Sequence, residues 1–192
     1  MHNNEDKNLI EILDENVSVD IARYTNYVSA PQAGAITTFS GTTRDTFDGK
    51  TVVELRYEAY VPMAVRQIQS ICSSARATWK IHAIAVAHRL GAVPVGETSV
   101  FIAVSAVHRG DALDACKFMI DELKATVPIW KKEVYSNGEV WKENSEFMER
   151  RSMDPAGNAV DAPAAASTRR VCCGTKCKVS NEESPAFGMN SE

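Results

Sequence analysis

Apolar residues recur along this chain at two periods, and the switches between them outline strands and helices. Val65, Ile68, Cys72, Ala75 and Trp79 share one face at helical spacing, and Pro62 suits the first turn of that helix. Leu113, Cys116, Ile120, Leu123 and Val127 form a second helical stripe, which Pro128 ends. Ser18 is placed to cap a shorter helix carrying Ile21, Ala22, Tyr24 and Val28. Ile10 to Leu13 reads as an edge strand and Ala35 to Phe39 as a buried one. Thr51 to Tyr60 alternates, with Val53, Leu55 and Tyr57 set against Glu54, Arg56 and Glu58. Ile81 to Ala87 is a strand that runs into His88-Arg89. Ser99 to Val107 is almost continuously apolar, as in a central strand covered on both faces, and it ends in His108-Arg109. Ile129 to Tyr135 is the next strand, and Asn137-Gly138 is a hairpin signal leading into Val140 and Trp141. Ala30 to Gly34, Ser40 to Asp45, Asp48-Gly49 and Leu90 to Glu97 read as turns and loops.

The resulting order, β-α-β-β-α-β-β-α-β-β, predicts an α+β domain built on a mixed sheet. The apolar periodicity stops near Asn144, and Met153 to Thr168 is rich in Ala, Pro, Asp and Ser. One domain over residues 1–147 and a flexible tail over 148–192 are therefore expected.

Composition removes several functional classes. Hydrophobic residues make up 44% of the 192, enough for an ordinary core. A net charge of −4 disfavours a general role on nucleic acid or on membrane surfaces. No apolar run is long enough to span a membrane, and the polar stretch Met1 to Asp6 is not followed by a signal-peptide segment. Five cysteines, two of them in helical patterns, do not make a disulfide framework, so a reducing, cytosolic setting is expected. Cys172, Cys173 and Cys177 offer three sulfurs with no histidine nearby, one ligand short of a structural zinc site. There is no dinucleotide fingerprint and no phosphate-binding P-loop. Neither a metal nor a cofactor is expected.

The candidate chemistry sits at element ends. Around Pro128 a helix gives way to a strand, and Lys124, Lys131, Lys132 and Glu133 crowd the joint. Clustered lysines suit proton transfer or the gripping of an anion. Strand alternation puts Lys131 and Glu133 on one face and Lys132 on the other. The plainer reading is solvated lysines, with Lys124 complementing a helix C-terminus and Lys131 in an ordinary ion pair with Glu133. His108-Arg109 stands where a helix begins, and free N–H groups there favour anions; the plainer reading is a surface arginine beside a strand-end histidine. Arg44, in the loop Gly41-Thr42-Thr43-Arg44, can add a guanidinium to backbone donors and hydroxyls. His88-Arg89 lacks a following helix, so these two residues are read as fixing the next loop or pairing with Glu97.

Taken in order, the pieces resemble the large, catalytic subunit of molybdopterin synthase. They are Gly34-Ala35, Phe39-Ser40-Gly41-Thr42-Thr43-Arg44, Leu55-Arg56-Tyr57-Glu58-Ala59-Tyr60 with Met63-Ala64, and His88-Arg89-Leu90-Gly91 with Gly96-Glu97. Val107-His108-Arg109 follows, then Leu123-Lys124 through Pro128-Ile129-Trp130-Lys131-Lys132-Glu133, and Trp141 closes the set. The resemblance covers roughly residues 8–147, and the Pro-Ile-Trp-Lys-Lys-Glu segment is its most diagnostic part.

The resemblance implies an α/β hammerhead fold with an added β subdomain. It implies a dimer in which each copy binds a small ubiquitin-like subunit, making a heterotetramer. The small subunit's C-terminal thiocarboxylate would enter a pocket and sulfurate precursor Z, a cyclic pyranopterin monophosphate, to molybdopterin. Lys124 matches the family's central catalytic lysine, and Lys131 one that contributes. Thr42, Thr43, Arg44, His108, Arg109, Lys132 and Glu133 match residues that line the substrate site. Arg150 and Arg151 are candidates for side chains supplied across the dimer. Two other classes compete: a non-catalytic docking module for a ubiquitin-like tail, and an unrelated phosphate-ester enzyme using the same basic pocket. A docking module would not need both lysines and both anion-binding loops, and no metal or phosphate-loop motif supports the third class.

Overall fold

The computed structural model describes residues 7–136 and 138–142. The elements run β1 (Lys7–Leu13), α1 (Ile21–Val28), β2 (Ala35–Thr42), β3 (Thr46–Phe47), β4 (Lys50–Ala59) and α2 (Val61–Thr78). They continue with β5 (Ile81–Arg89), β6 (Gly91–Pro94), β7 (Thr98–Ala106), α3 (Arg109–Thr126), β8 (Ile129–Tyr135) and β9 (Gly138–Lys142).

Two sheets carry these elements. The first has the order β1-β5-β7-β2, with β1 parallel to β5 and the other pairs antiparallel, so it is mixed as expected. Strand alternation in β5 and β7 sorts the core into two layers. Ile84, Val86, Ile102 and Val104 meet α2 and α3 on one face. Ala83, Ala85, Ala87, Phe101 and Ala103 meet α1 on the other. The small alanines leave room for Tyr24 and Val28 of α1, both fully buried. Tyr24 keeps its hydroxyl satisfied by donating to Glu11 Oε2 at 2.6 Å. The second sheet runs β3-β4-β8-β9 with β6 added to β4, all antiparallel. It is the smaller β subdomain beside the main α+β body.

The structure revises several local expectations. The cap of α1 is Asp20, whose side chain accepts from the Arg23 N–H at 3.0 Å, and not Ser18. Strand β2 extends to Thr42 and is covered on one face only, with Ile36 exposed. It is the last strand of its sheet, and the short α1 packs mainly over β5 and β7. In β4 a bulge between Val52 and Glu54 turns Val52 inward and leaves Val53 half exposed, which breaks the alternation read at Val53. The stretch after Leu90 holds a strand, β6, whose partner β4 is remote in sequence, so local turn signals concealed it. Leu113 is exposed, while Ala112, Ala115 and Met119 take the buried positions of α3. Asn137, the proposed tail over 148–192, the Cys172, Cys173 and Cys177 cluster, and Arg150 and Arg151 lie outside the described residues.

Ile102 is fully buried on the central strand, against α2 and α3. Ile102→Ala is expected to lower stability by about 2–5 kcal/mol. Urea denaturation should show an earlier midpoint with an unchanged slope.

Candidate active site

Helix α3 ends because of its sequence. Pro128 has no N–H to donate, and the residue before it is driven to extended geometry. Val127 is accordingly extended, and its N–H closes the helix on the Leu123 carbonyl at 3.1 Å. Two residues later β8 begins against β4. Lys124 thus occupies the last helical turn, where a cation complements the helix dipole. Lys131 stands just across the proline, on the strand.

Both lysines border one cavity of about 670 Å³, a size that suits a small-molecule site. Its wall combines β2 and the loop after it, β4, the start of β7, the C-terminal part of α3, and β8. Thr42, Arg44 and Glu133 also border it. Arg44 is exposed, with its guanidinium over the Phe47 ring, 5.3 Å from the centroid. Glu133 is only 4% exposed. It faces Lys131 Nζ at 3.6 Å and accepts a hydrogen bond from the Tyr135 hydroxyl. At Gly41 a side chain would meet Val100 at 2.7 Å, so glycine lets β2 pass close to β7 beside the cavity.

The remaining four sequence candidates lie elsewhere within this chain. Thr43 is buried and works as a staple. Its N–H donates to Glu97 O at 3.1 Å, its carbonyl accepts from Gly96 N–H at 2.9 Å, and its hydroxyl donates to Val93 O at 3.2 Å. That ties the Arg44 loop to the connection between β6 and β7. Lys132 points to the opposite face of β8, as alternation required. There it pairs with Glu139 at 3.0 Å and sits over the Trp141 ring. His108 and Arg109 are exposed at the N-terminus of α3, about 22 Å along the helix from Lys124 at its usual rise per residue.

The cavity also contains polar groups that the sequence reading left out. Tyr57 is cross-strand to Lys131, and its hydroxyl donates to Ser99 Oγ at 3.2 Å. Cross-strand neighbours share a face, so the alternation of β4 against β8 held that signal. His88 lies within β5, not after it, and packs edge-on against Tyr57. Its Nδ1 is 2.9 Å from the Arg89 carbonyl, which can only accept, so Nδ1 carries the proton. Arg89 pairs with Glu97 and donates to Ala92 O at 3.1 Å, the loop-fixing role expected of it. Burial raises the Tyr57 phenol above its usual range. It pushes the thiols of Cys72 to about 12 and Cys116 to about 11, which leaves them unreactive core residues. The arrangement sets exposed or half-exposed cations around neutral, buried donors and acceptors. It can hold an anionic ligand and move protons to or from it.

Burial also lowers the His88 imidazole to about 4, against the opposing hydrogen bond to Arg89 O. The folded chain then refuses a proton that the unfolded chain accepts below its ordinary value of 6.5. Stability from this group is complete above pH 6.5 and is lost as pH falls towards 4. The loss amounts to about 3 kcal/mol. Denaturation midpoints measured across that window should fall more steeply for wild type than for His88→Gln.

Comparison with known proteins agrees with this fold and places it. The Arabidopsis thaliana molybdopterin synthase catalytic subunit is 67% identical over 182 residues, covering 93% of this chain and 92% of that protein. The Oryza sativa subsp. japonica protein of the same name is 56% identical over 177 residues, covering 91% and 92%. The crystal structure of molybdopterin synthase from Staphylococcus aureus superposes with a TM-score of 0.65 at 33% identity, over 69% of this chain and 95% of that one. Residues 14–126, which run from the end of β1 to the end of α3, match the family described as MoaE protein, and the chain belongs to that family.

Proposed function

We propose that this chain is the catalytic subunit of a molybdopterin synthase. In this reading it transfers sulfur from the thiocarboxylated C-terminus of a small ubiquitin-like subunit to precursor Z. The observation that carries the proposal is the meeting of Lys124 and Lys131 with Arg44 on one cavity, from a helix, a strand and a loop. Substrate phosphate and incoming thiocarboxylate are both anions, and Arg44 is suited to grip the phosphate. Attack by sulfur on a pterin side-chain carbon forms a carbon–sulfur bond as an oxygen substituent leaves that carbon. Water then adds to the acyl carbon of the resulting thioester, and the oxyanion so formed collapses with cleavage of the acyl carbon–sulfur bond, leaving the sulfur on the pterin and a carboxylate on the small subunit. Lysine ammonium groups can stabilise that oxyanion and exchange protons with it. Glu133 keeps Lys131 close to the cavity wall. The sulfur arrives on the partner, which is consistent with the inert Cys72 and Cys116.

The proposed assembly is a dimer of this chain with a small subunit on each copy, working in the cytosol. Among the described residues, Cys72 and Cys116 are free, buried thiols, which suits a reducing compartment. His108 and Arg109 are too far along α3 to act on their own chain's cavity. In this reading they serve a site on a second copy.

Reconstitution tests the proposal. Wild type mixed with thiocarboxylated small subunit and precursor Z should yield molybdopterin. Lys124→Ala should lower the rate about a hundredfold or more while still binding the small subunit. Absence of product from wild type, or an unchanged rate in Lys124→Ala, overturns the assignment. Small-subunit binding without product would instead identify a docking module.

A further inference from the structure

Strand alternation places three side chains of β8 in a row on one face, Lys131, Glu133 and Tyr135. The first two border the cavity and Tyr135 does not. It is buried, and it lies opposite Val52, where β4 bulges. Lys50 Nζ stands over its ring, 5.4 Å from the centroid. Its hydroxyl donates a hydrogen bond to Glu133 Oε2.

The two oxygens of Glu133 are held unequally. Oε1 faces Lys131 Nζ at 3.6 Å, beyond the range of a tight hydrogen bond. That attraction is weakly directional and does not fix the plane of the carboxylate. The bond from Tyr135 to Oε2 is directional, and it satisfies an oxygen that burial would otherwise leave costly. The orientation of Glu133, and through it the place of the Lys131 ammonium, therefore depends on a hydroxyl outside the cavity.

We propose that Tyr135 is a positioning residue for the sulfur-transfer site, acting through Glu133 to hold Lys131 against the cavity wall. This rests on the reading of Lys131 as a participant in that reaction. The hydrogen bond to Glu133 pushes the Tyr135 phenol up to about 12, so it remains a donor across the working pH range.

Two measurements test this on the full chain. The first is independent of activity: competitive labelling of lysines with acetic anhydride, read by mass spectrometry. Tyr135→Phe keeps the ring and removes the donor. It should raise Lys131 labelling about threefold or more and leave Lys132, paired with Glu139 on the other face, unchanged. Unchanged Lys131 labelling overturns the proposal. The second is steady-state kinetics of molybdopterin formation. Tyr135→Phe should lower kcat about tenfold with KM within about twofold of wild type. The double variant Tyr135→Phe/Glu133→Gln should be no slower than Glu133→Gln alone, because both act through one group. Additive losses in the double variant, or wild-type kinetics in Tyr135→Phe, overturn the proposal. If wild type makes no product, the synthase reading fails, and the labelling result still decides whether Tyr135 positions Lys131.

Discussion

The junction at Pro128 is the constraint on which the site depends. Helix α3 is fastened into the main core by Met119, Ile120 and Leu123. Strand β8 is fastened into the second sheet by its ladder with β4. Only Val127 and Pro128 separate them, and proline permits no continuation of the helix. The main core and the second sheet are therefore joined here by a short, stiff link, with a lysine on each side. Any shift of the second sheet relative to α3 would pull Lys131 away from Lys124. Position, not sequence neighbourhood alone, makes these two lysines a pair.

Around that link the polar groups divide by burial. Arg44 is exposed to incoming charge, and Lys131, on the same cavity, is half-buried. Behind them, Tyr57, Ser99 and His88 form a layer of neutral groups whose hydrogen bonds stay within the protein. A buried imidazole held neutral adds no repulsion to the nearby cations. Glu133 is the exception, a buried carboxylate, and it is tolerated because Tyr135 and Lys131 both face it. The staple at Thr43 and the Arg89–Glu97 pair do comparable work for the loop that carries Arg44. Much of the site is thus held by residues that do not border it.

The parts of the fold that were legible in the sequence were those with local causes. The long helices showed in their apolar periods, β7 in its unbroken apolar run, and the break at Pro128 in covalent geometry. The misread parts depended on remote partners. Strand β6 exists because β4 pairs with it, and four residues of Gly-Ala-Val-Pro carry no local strand pattern. Val53 turned outward because of a bulge that only pairing with β8 reveals. Leu113 faces solvent because the packing of α3 on β2 and β7 selects a stripe rotated from the one its largest residues suggested.

The sequence by itself determined which residue types were available, the alternation that separates Lys131 from Lys132, and the helix stop that leaves Lys124 on a helix and Lys131 on a strand. Each follows from bonding or periodicity over a few residues. Tertiary structure alone decided which candidates share a cavity. It gathered Thr42, Arg44, Lys124, Lys131 and Glu133, buried Thr43 as a staple, and left His108 and Arg109 at the far end of α3. The reason is distance: α3 separates Arg109 from Lys124 by its own rigid length, while folding brings Arg44 of the β2–β3 loop and Lys131 of β8 to one wall.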